Sequence, residues 1–263
     1  MSRSGEFGFS IHAFDSSICV QCADAEIYET VERYVFPPLS RVTFAPDSAH
    51  IHLQVDRDTT GFSVLLGHTL VASASLLHDA ALAAVKALDE AVVHRMKTLR
   101  AIHAGAVLIK EKALLLPGLT HAGKSSLVAE LLSRGASCFS DEYALIDAEG
   151  CIHSYPRPLL LRNGGPSQSL VLPRELNAGY ALRTAPVGWI MALDYGVGEA
   201  WNVHRMSQGE ATMLLLRNTP HEMAQSPEMI EFFLRATSNA VCYEGKRCDV
   251  AEAATHILDL IES

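Results

Sequence analysis

The sequence predicts an α/β fold, a mixed sheet built around a glycine-rich strand-to-helix turn, with a small N-terminal α+β subdomain in front of it. Three observations carry that expectation. An apolar run, Ala113–Pro117, leads into Gly118-Leu-Thr-His-Ala-Gly123-Lys-Ser-Ser126, and a helical run, Leu127–Ser133, follows at once. Residues 50–55 alternate, with Ile51, Leu53 and Val55 on one face and His50, His52 and Gln54 on the other, the period of a half-buried strand. The grammar of the chain then changes near Arg100, which divides it into residues 1–100 and 101–263. At about 150 residues per domain, 263 residues make one large domain or two small ones.

In the first part, residues 8–22 read as a hairpin-like apolar stretch and Asp24–Tyr34 as a short helix stopped by Pro37-Pro38. Gly61–Leu66 and Leu70–Ser73 are further strands. Leu76–Leu99 has helical spacing through Leu82, Val85, Leu88, Val92 and Met96. In the second part, the charged turn Lys110-Glu111-Lys112 separates strands Ala106–Ile109 and Ala113–Pro117. Gly135 stops the helix that follows the glycine-rich turn. Ser137–Ser140 is a strand ending at Asp141-Glu142, and Tyr143–Ile146 continues in β character. The tail holds a strand at Val187–Leu193 and three capped helices. Ser207 with Glu210 is a capping box, Ser226 precedes Pro227 at the favoured first helical position, and Asp249 with Glu252 is a weaker box. Met206, Met213, Met223 and Met229 read as packing residues.

Composition narrows the function. Apolar residues make up 49% of the chain, enough for a sizeable core. Lys and Arg number 21 against 30 Asp and Glu, a net charge of −9, which argues against a nucleic-acid backbone binder. No apolar run approaches the roughly 18 residues of a membrane span, so no membrane partner is expected. Met1–Ser17 lacks the apolar core of an export signal, and the expected location is cytoplasmic. Six cysteines are too sparse for a disulfide scaffold. Cys19 and Cys22 form a single CxxC, read as ordinary thiols because a structural zinc wants four ligands.

The chemistry sits in Gly118–Ser125, which fits G-x-x-x-x-G-K-[ST]. A chance match in a chain of this length is on the order of 1%. A strand before it and a helix after it are the context that a phosphate cradle requires. Glycines let the backbone curl so that successive N–H groups point at phosphate oxygens, and the helix beginning near Lys124 adds its dipole. Gly118, Leu119, Thr120, His121, Ala122, Gly123, Lys124, Ser125 and Ser126 are the expected nucleotide-binding residues, with Lys124 on the β/γ charge and the Ser125 hydroxyl a ligand to Mg²⁺. Asp141 follows Lys124 by 17 residues, at the end of the next strand. On an extended backbone Asp141 and Glu142 point different ways, so one can hold metal while the other faces an acceptor.

Ile102-His103-Ala-Gly105-Ala-Val, Leu-Leu-Leu-Pro-Gly118, Gly123-Lys124-Ser125-Ser126-Leu, Leu-Leu-Ser-Arg134-Gly135 and Phe-Ser140-Asp141-Glu142, in that order, resemble the HPr kinase/phosphorylase catalytic domain. The match spans roughly residues 102–163, about a quarter of the chain. It looks most like the short HPr-kinase-related branch, found beside peptide-modification systems, and Tyr155-Pro156-Arg157-Pro158 looks like that branch's Pro-Arg-Pro strand. The resemblance implies a fold like the HPr kinase and phosphoenolpyruvate carboxykinase group. It implies a kinase that uses ATP and Mg²⁺ on a serine hydroxyl of a peptide or small protein, with a peptide chaperone as a further partner and a homo-oligomer among the expected states. Asp141 matches the Asp that accepts the serine proton, and His103 matches the His near it. Glu142 stands where the family usually has a second Asp, which leaves it, with Ser125, as the metal ligand. Arg157 is the candidate for an extra cation near the transferring group, against the alternative of a surface Arg on a strand. Two departures stand out: the loop that docks HPr is not found, and residues 1–100 do not match the regulatory domain of the long enzymes.

Two alternatives stay open at this level: a kinase of a free hydroxyl compound such as serine, and a non-catalytic nucleotide-binding accessory protein. The sequence predicts that Lys124→Ala abolishes nucleotide turnover, read as release of ADP from ATP.

Overall fold

The computed structural model describes residues 7–42, 46–118, 123–162, 167–220 and 228–262. The chain forms two compact units, residues 1–97 and 98–263. The first is a five-stranded sheet of β1 (Gly8–Ala13), β2 (Ser16–Cys22), β3 (Ile51–Arg57), β4 (Phe62–Leu66) and β5 (Thr69–Ala74), in that spatial order. All neighbours are antiparallel except β2 and β3. That parallel pair needs a crossover, and α1 (Ala25–Tyr34) supplies it. The Asp24 carboxylate accepts from the Ile27 amide at 2.9 Å and caps this helix. The alternation in β3 is as the sequence predicts, with Ile51, Leu53 and Val55 buried.

The helix α2 (Leu77–Arg95) closes the first unit and packs on β3, β4 and β5. It ends before Leu99, where the apolar spacing had carried it. Met96 leaves the helical conformation at ψ 131°, and its side chain is buried. Cys19 and Cys22 are both buried in β2, three residues apart and so on opposite faces of the strand. That geometry keeps the two thiols from sharing a metal.

The second unit is a mixed sheet. Its path runs β10 (Cys151–His153), β9 (Tyr143–Ile146), β6 (Arg100–Ile109), β7 (Lys112–Pro117), β13 (Ala185–Tyr195), β15 (Val241–Arg247) and β14 (Asn202–Arg205), with β8 (Ser137–Ser140) also on β6. β10 pairs in addition with the start of β13. Strand β7 is buried on both faces. Leu114 and Leu116 pack with α3 (Lys124–Ser133) and α6 (Val250–Glu262), while Ala113 and Leu115 face the cluster that holds Leu215 of α4 (Gln208–Arg217) and Phe233 of α5 (Met229–Thr237). Burial on both sides explains why β7 reads as an unbroken apolar run.

The strand directions create an edge. β7, β13 and β15 are parallel, so their carboxyl ends lie together. β6 is antiparallel to β7 and β8 is antiparallel to β6, so β8 also ends at that edge. Residues 137–146 follow β6 almost throughout. Val107 pairs with Cys138 and Ala106 with Ser140, which leaves Phe139 as an extra residue, a bulge. Asp141-Glu142 comes directly after it. His103 lies inside β6 and not ahead of the strand, because β6 begins at Arg100; Ile102, Ala104 and Ala106 share its fully buried face.

Other expectations meet different fates. Ser207 and Glu210 form the expected capping box. Asp249 does cap α6, through the Ala251 amide at 2.9 Å, but Glu252 turns to His256 at 3.5 Å instead of completing a box. Met206 and Met229 are buried, whereas Met213 is 50% exposed. Ser226, Pro227 and Met223 lie outside the described residues. A two-stranded ribbon, β11 (Leu159–Arg162) with β12 (Gln168–Val171), lies apart from the large sheet.

Gly105 in β6 sets the seat of α3. A Cβ there would lie 2.6 Å from Val128 Cγ2 on that helix, and a helical Val has one strongly preferred rotamer. Gly105→Ala is therefore expected to lower stability by about 1–3 kcal/mol, measured as a fall in the urea midpoint.

Candidate active site

The glycine-rich segment leaves β7 at Pro117 and returns at Gly123; Leu119, Thr120, His121 and Ala122 lie outside the described residues. Gly123 is the first half-helical residue of α3, at φ +73°, a region that side chains with a Cβ resist. A Cβ at Gly123 would also overlap Nη2 of Arg247. Lys124 Nζ donates to the Gly118 carbonyl at 2.6 Å and so ties the two ends of the segment together. Burial pulls the Lys124 pKa down, and the charges of Glu142 and Asp141 push it back up.

The acidic pair does not sit on the extended backbone that the sequence predicts: Asp141 and Glu142 form a bend between β8 and β9, and both carboxylates approach Arg157 Nη1, yet they differ in exposure. Asp141 is 1% exposed, and Glu142 opens on the cleft with a third of its side chain exposed. Asp141 Oδ2 accepts from the Leu160 amide at 2.9 Å, and Oδ1 lies 3.7 Å from Arg157 Nη1. Burial drives the Asp141 carboxyl well above its usual range; Arg157, the Leu160 amide and the Ser125 hydroxyl oppose that rise, and the Glu142 charge adds to it. For Glu142, burial also pushes upward, but His103, Arg157 and Lys124 together outweigh it, and its carboxyl is held below the usual value. The local turn is fixed by Ser140, whose hydroxyl accepts from the amides of Glu142 and Tyr143 at 3.3 and 3.2 Å.

Arg157 is no surface residue. It is 2% exposed, 3.7 Å from Asp141 and 3.9 Å from Glu142. Flanking prolines hold its backbone extended, Tyr155 beside it is fully buried, and its carbonyl accepts from the Tyr180 hydroxyl at 3.0 Å. His103 faces Glu142, not Asp141, at 3.6 Å, and its ring lies against Tyr143 with centroids 4.6 Å apart.

A cleft of about 240 Å³ lies between the start of α3 and Glu142. Gly123, Lys124, Ser125 and Ser126 form one side; Glu142, Leu160, Arg162 and Gln168 form the other. Arg162 and Gln168 pair across the ribbon, and neither belongs to a motif visible in the sequence.

Arg247 is the other residue that the sequence did not mark. It ends β15 at the common edge and is 3% exposed. Its guanidinium donates to the carbonyls of Gly123 at 3.4 Å and Cys248 at 3.2 Å and lies 4.6 Å from the centre of the Tyr195 ring. Among the described residues no carboxylate pairs with it. Arg247, Lys124 and the N-terminus of α3 thus gather positive potential at one point.

No protein-family model matches the chain, and no curated protein matches it in sequence. Among solved structures, the HPr(Ser) kinase/phosphatase from Coxiella burnetii is similar over 62% of this chain and 99% of its own, at 12% identity and a TM-score of 0.34, too slight a likeness to argue from. No helix among the described residues is long and apolar enough to cross a membrane.

Arg157 and Asp141 compensate each other in the interior. Arg157→Met should cost on the order of 3–5 kcal/mol, since it leaves a carboxylate buried without its cation. The Asp141 pKa would rise further, so the folded state would hold a proton that the unfolded state releases. The deficit should then shrink as pH falls and Asp141 is protonated, and grow as pH rises. Urea unfolding across the acid range measures both signs, and Asp141→Asn in the same background should recover part of the loss.

Proposed function

We propose that this chain is a phosphotransferase that moves the γ-phosphoryl group of ATP, with Mg²⁺, onto a serine hydroxyl of a peptide or small protein. The observation that carries the reading is the cleft itself: Lys124 and Ser125 at the start of α3 face Glu142 across it, with Asp141 and Arg157 buried behind. The order of motifs from His103 to Glu142 points the same way.

The phosphates would lie against the amides of the glycine-rich segment and the start of α3, with Lys124 and Arg247 adding charge. The oxygen donors of Ser125 and the acidic pair are the hard ligands that Mg²⁺ prefers. When bound, that ion would neutralise charge on the β- and γ-phosphate oxygens. The burial of the two carboxylates favours an exchange of the roles that the resemblance implies. Glu142 opens on the cleft and can reach an acceptor hydroxyl; Asp141 is enclosed beside Ser125. In this reading Glu142 takes the acceptor proton, His103 orients Glu142, and Asp141 with Ser125 stands on the metal side. Glu142, held below its usual pKa, is ionised at neutral pH and weak as a base. Most of the rate would then come from alignment and from the cations Lys124 and Arg157.

The test incubates the protein with ATP and Mg²⁺, first with free serine and then with a serine-containing peptide library, and reads phosphate addition by mass spectrometry. Phosphopeptide is the expected product; phosphoserine alone would move the reading to a small-molecule kinase, and bound ATP with no acceptor would sink catalysis. Glu142→Gln should retain ATP binding while transfer falls roughly 10²-fold or more. Asp141→Asn should instead raise the Mg²⁺ concentration that transfer requires.

A further inference from the structure

A second cluster of chemically capable groups lies at the β15–α6 junction, one residue beyond Arg247. Cys248, Glu252 and His256 are spaced by four, so they rise along one side of the start of α6. One ligand atom from each, a thiol sulfur, a carboxylate oxygen and an imidazole nitrogen, lies within 4.8 Å of the other two. His256 Nε2 and Glu252 Oε1 are 3.5 Å apart. Trp201 stacks on the His256 ring, with centroids 5.1 Å apart and planes at 23°, and fixes its orientation.

We propose that Cys248, Glu252 and His256 bind a divalent transition metal of the zinc class. Donor chemistry decides the class: thiolate and imidazole favour Zn²⁺ or Co²⁺ and disfavour Mg²⁺, so the site is separate from the oxygen donors at Ser125 and Asp141. In a tetrahedral zinc site neighbouring ligand atoms are about 3.5 Å apart. The His256–Glu252 spacing already meets that value, and the remaining adjustment, about 1 Å, falls within reach of the flexible Glu252 side chain. Three protein ligands leave the fourth position to water. The ion has a way in, since Glu252 is 61% and His256 39% exposed, while Cys248, at 4%, sits at the floor. Cysteine ligates as the thiolate, so binding the metal forms the metal–sulfur bond and releases the thiol proton to solvent. Affinity should therefore rise with pH.

The site is independent of the kinase reading, and its test needs no turnover. The intact protein, reduced with a non-chelating phosphine, is titrated with Co²⁺. The expected result is one equivalent bound, with a thiolate-to-cobalt charge-transfer band in the near ultraviolet that Zn²⁺ abolishes. Cys248→Ser should remove the band. Glu252→Gln, at an exposed position that folding does not need, should weaken Co²⁺ binding about tenfold, and His256→Ala more. Absence of a charge-transfer band in the native protein would overturn the proposal. So would a band that survives in Cys248→Ser, because it would place the metal on other cysteines.

Discussion

The second unit depends on a charge arrangement at the end of its sheet: a carboxylate, Asp141, and a guanidinium, Arg157, both almost wholly out of water and 3.7 Å apart. Neither could be buried alone, because an isolated ion loses several kcal/mol of hydration that the interior does not return. Together, with the Leu160 amide on the second carboxylate oxygen, they are tolerable. The pair joins the turn after β8 to the segment entering β11, two stretches that no regular ladder connects. Around it the remaining charges take their places: Glu142 toward the cleft, His103 on Glu142, and Lys124 across from both carboxylates.

Strand direction makes the arrangement reachable. Four strands end at one edge because β7, β13 and β15 are parallel and β8 runs with them across the antiparallel β6. Three of them contribute a functional group where the ladder stops: the glycine-rich segment after β7, the acidic pair after β8 and Arg247 at the end of β15. Crevices outside the carboxyl ends of parallel strands are where α/β sheets commonly bind ligands. The Phe139 bulge supplies local aim, since it shifts the alternation just before the residues whose orientation matters. Gly105 allows α3 to approach β6 closely enough for its first turn to face that edge.

Electrostatically the edge is poised without being neutral. Arg247 enters the interior with two carbonyls and an aromatic face for company. Its charge adds to that of Lys124 and to the partial charge of the helix start. An anion docking there would relieve repulsion as well as form new bonds. The chain as a whole is acidic, yet two of its guanidinium groups, Arg157 and Arg247, are buried at this edge.

Much of this was legible in the order of residues. The spacing from Gly118 to Ser125 located the start of α3, where Gly123 takes a positive φ that residues with a Cβ resist. Alternation located β3, and the double-sided burial of β7 left an apolar run that cannot be missed. The acidic pair was legible too, but not its geometry: the two residues lie in a bend, not on extended strand, and both carboxylates approach Arg157 Nη1. Which member is enclosed, however, depends on what packs over it, and that was settled by Arg157 and Leu160 arriving from elsewhere in the chain. His103 met Glu142 instead of Asp141 for the same reason. Arg162, Gln168 and Arg247 carried no local signal, since a charged residue at a strand end looks the same whether it points into solvent or toward a cleft. Local periodicity records the faces of single elements, and the chain by itself determined those. Partnership between distant side chains is decided by sheet order and register, which exist only once the chain has folded.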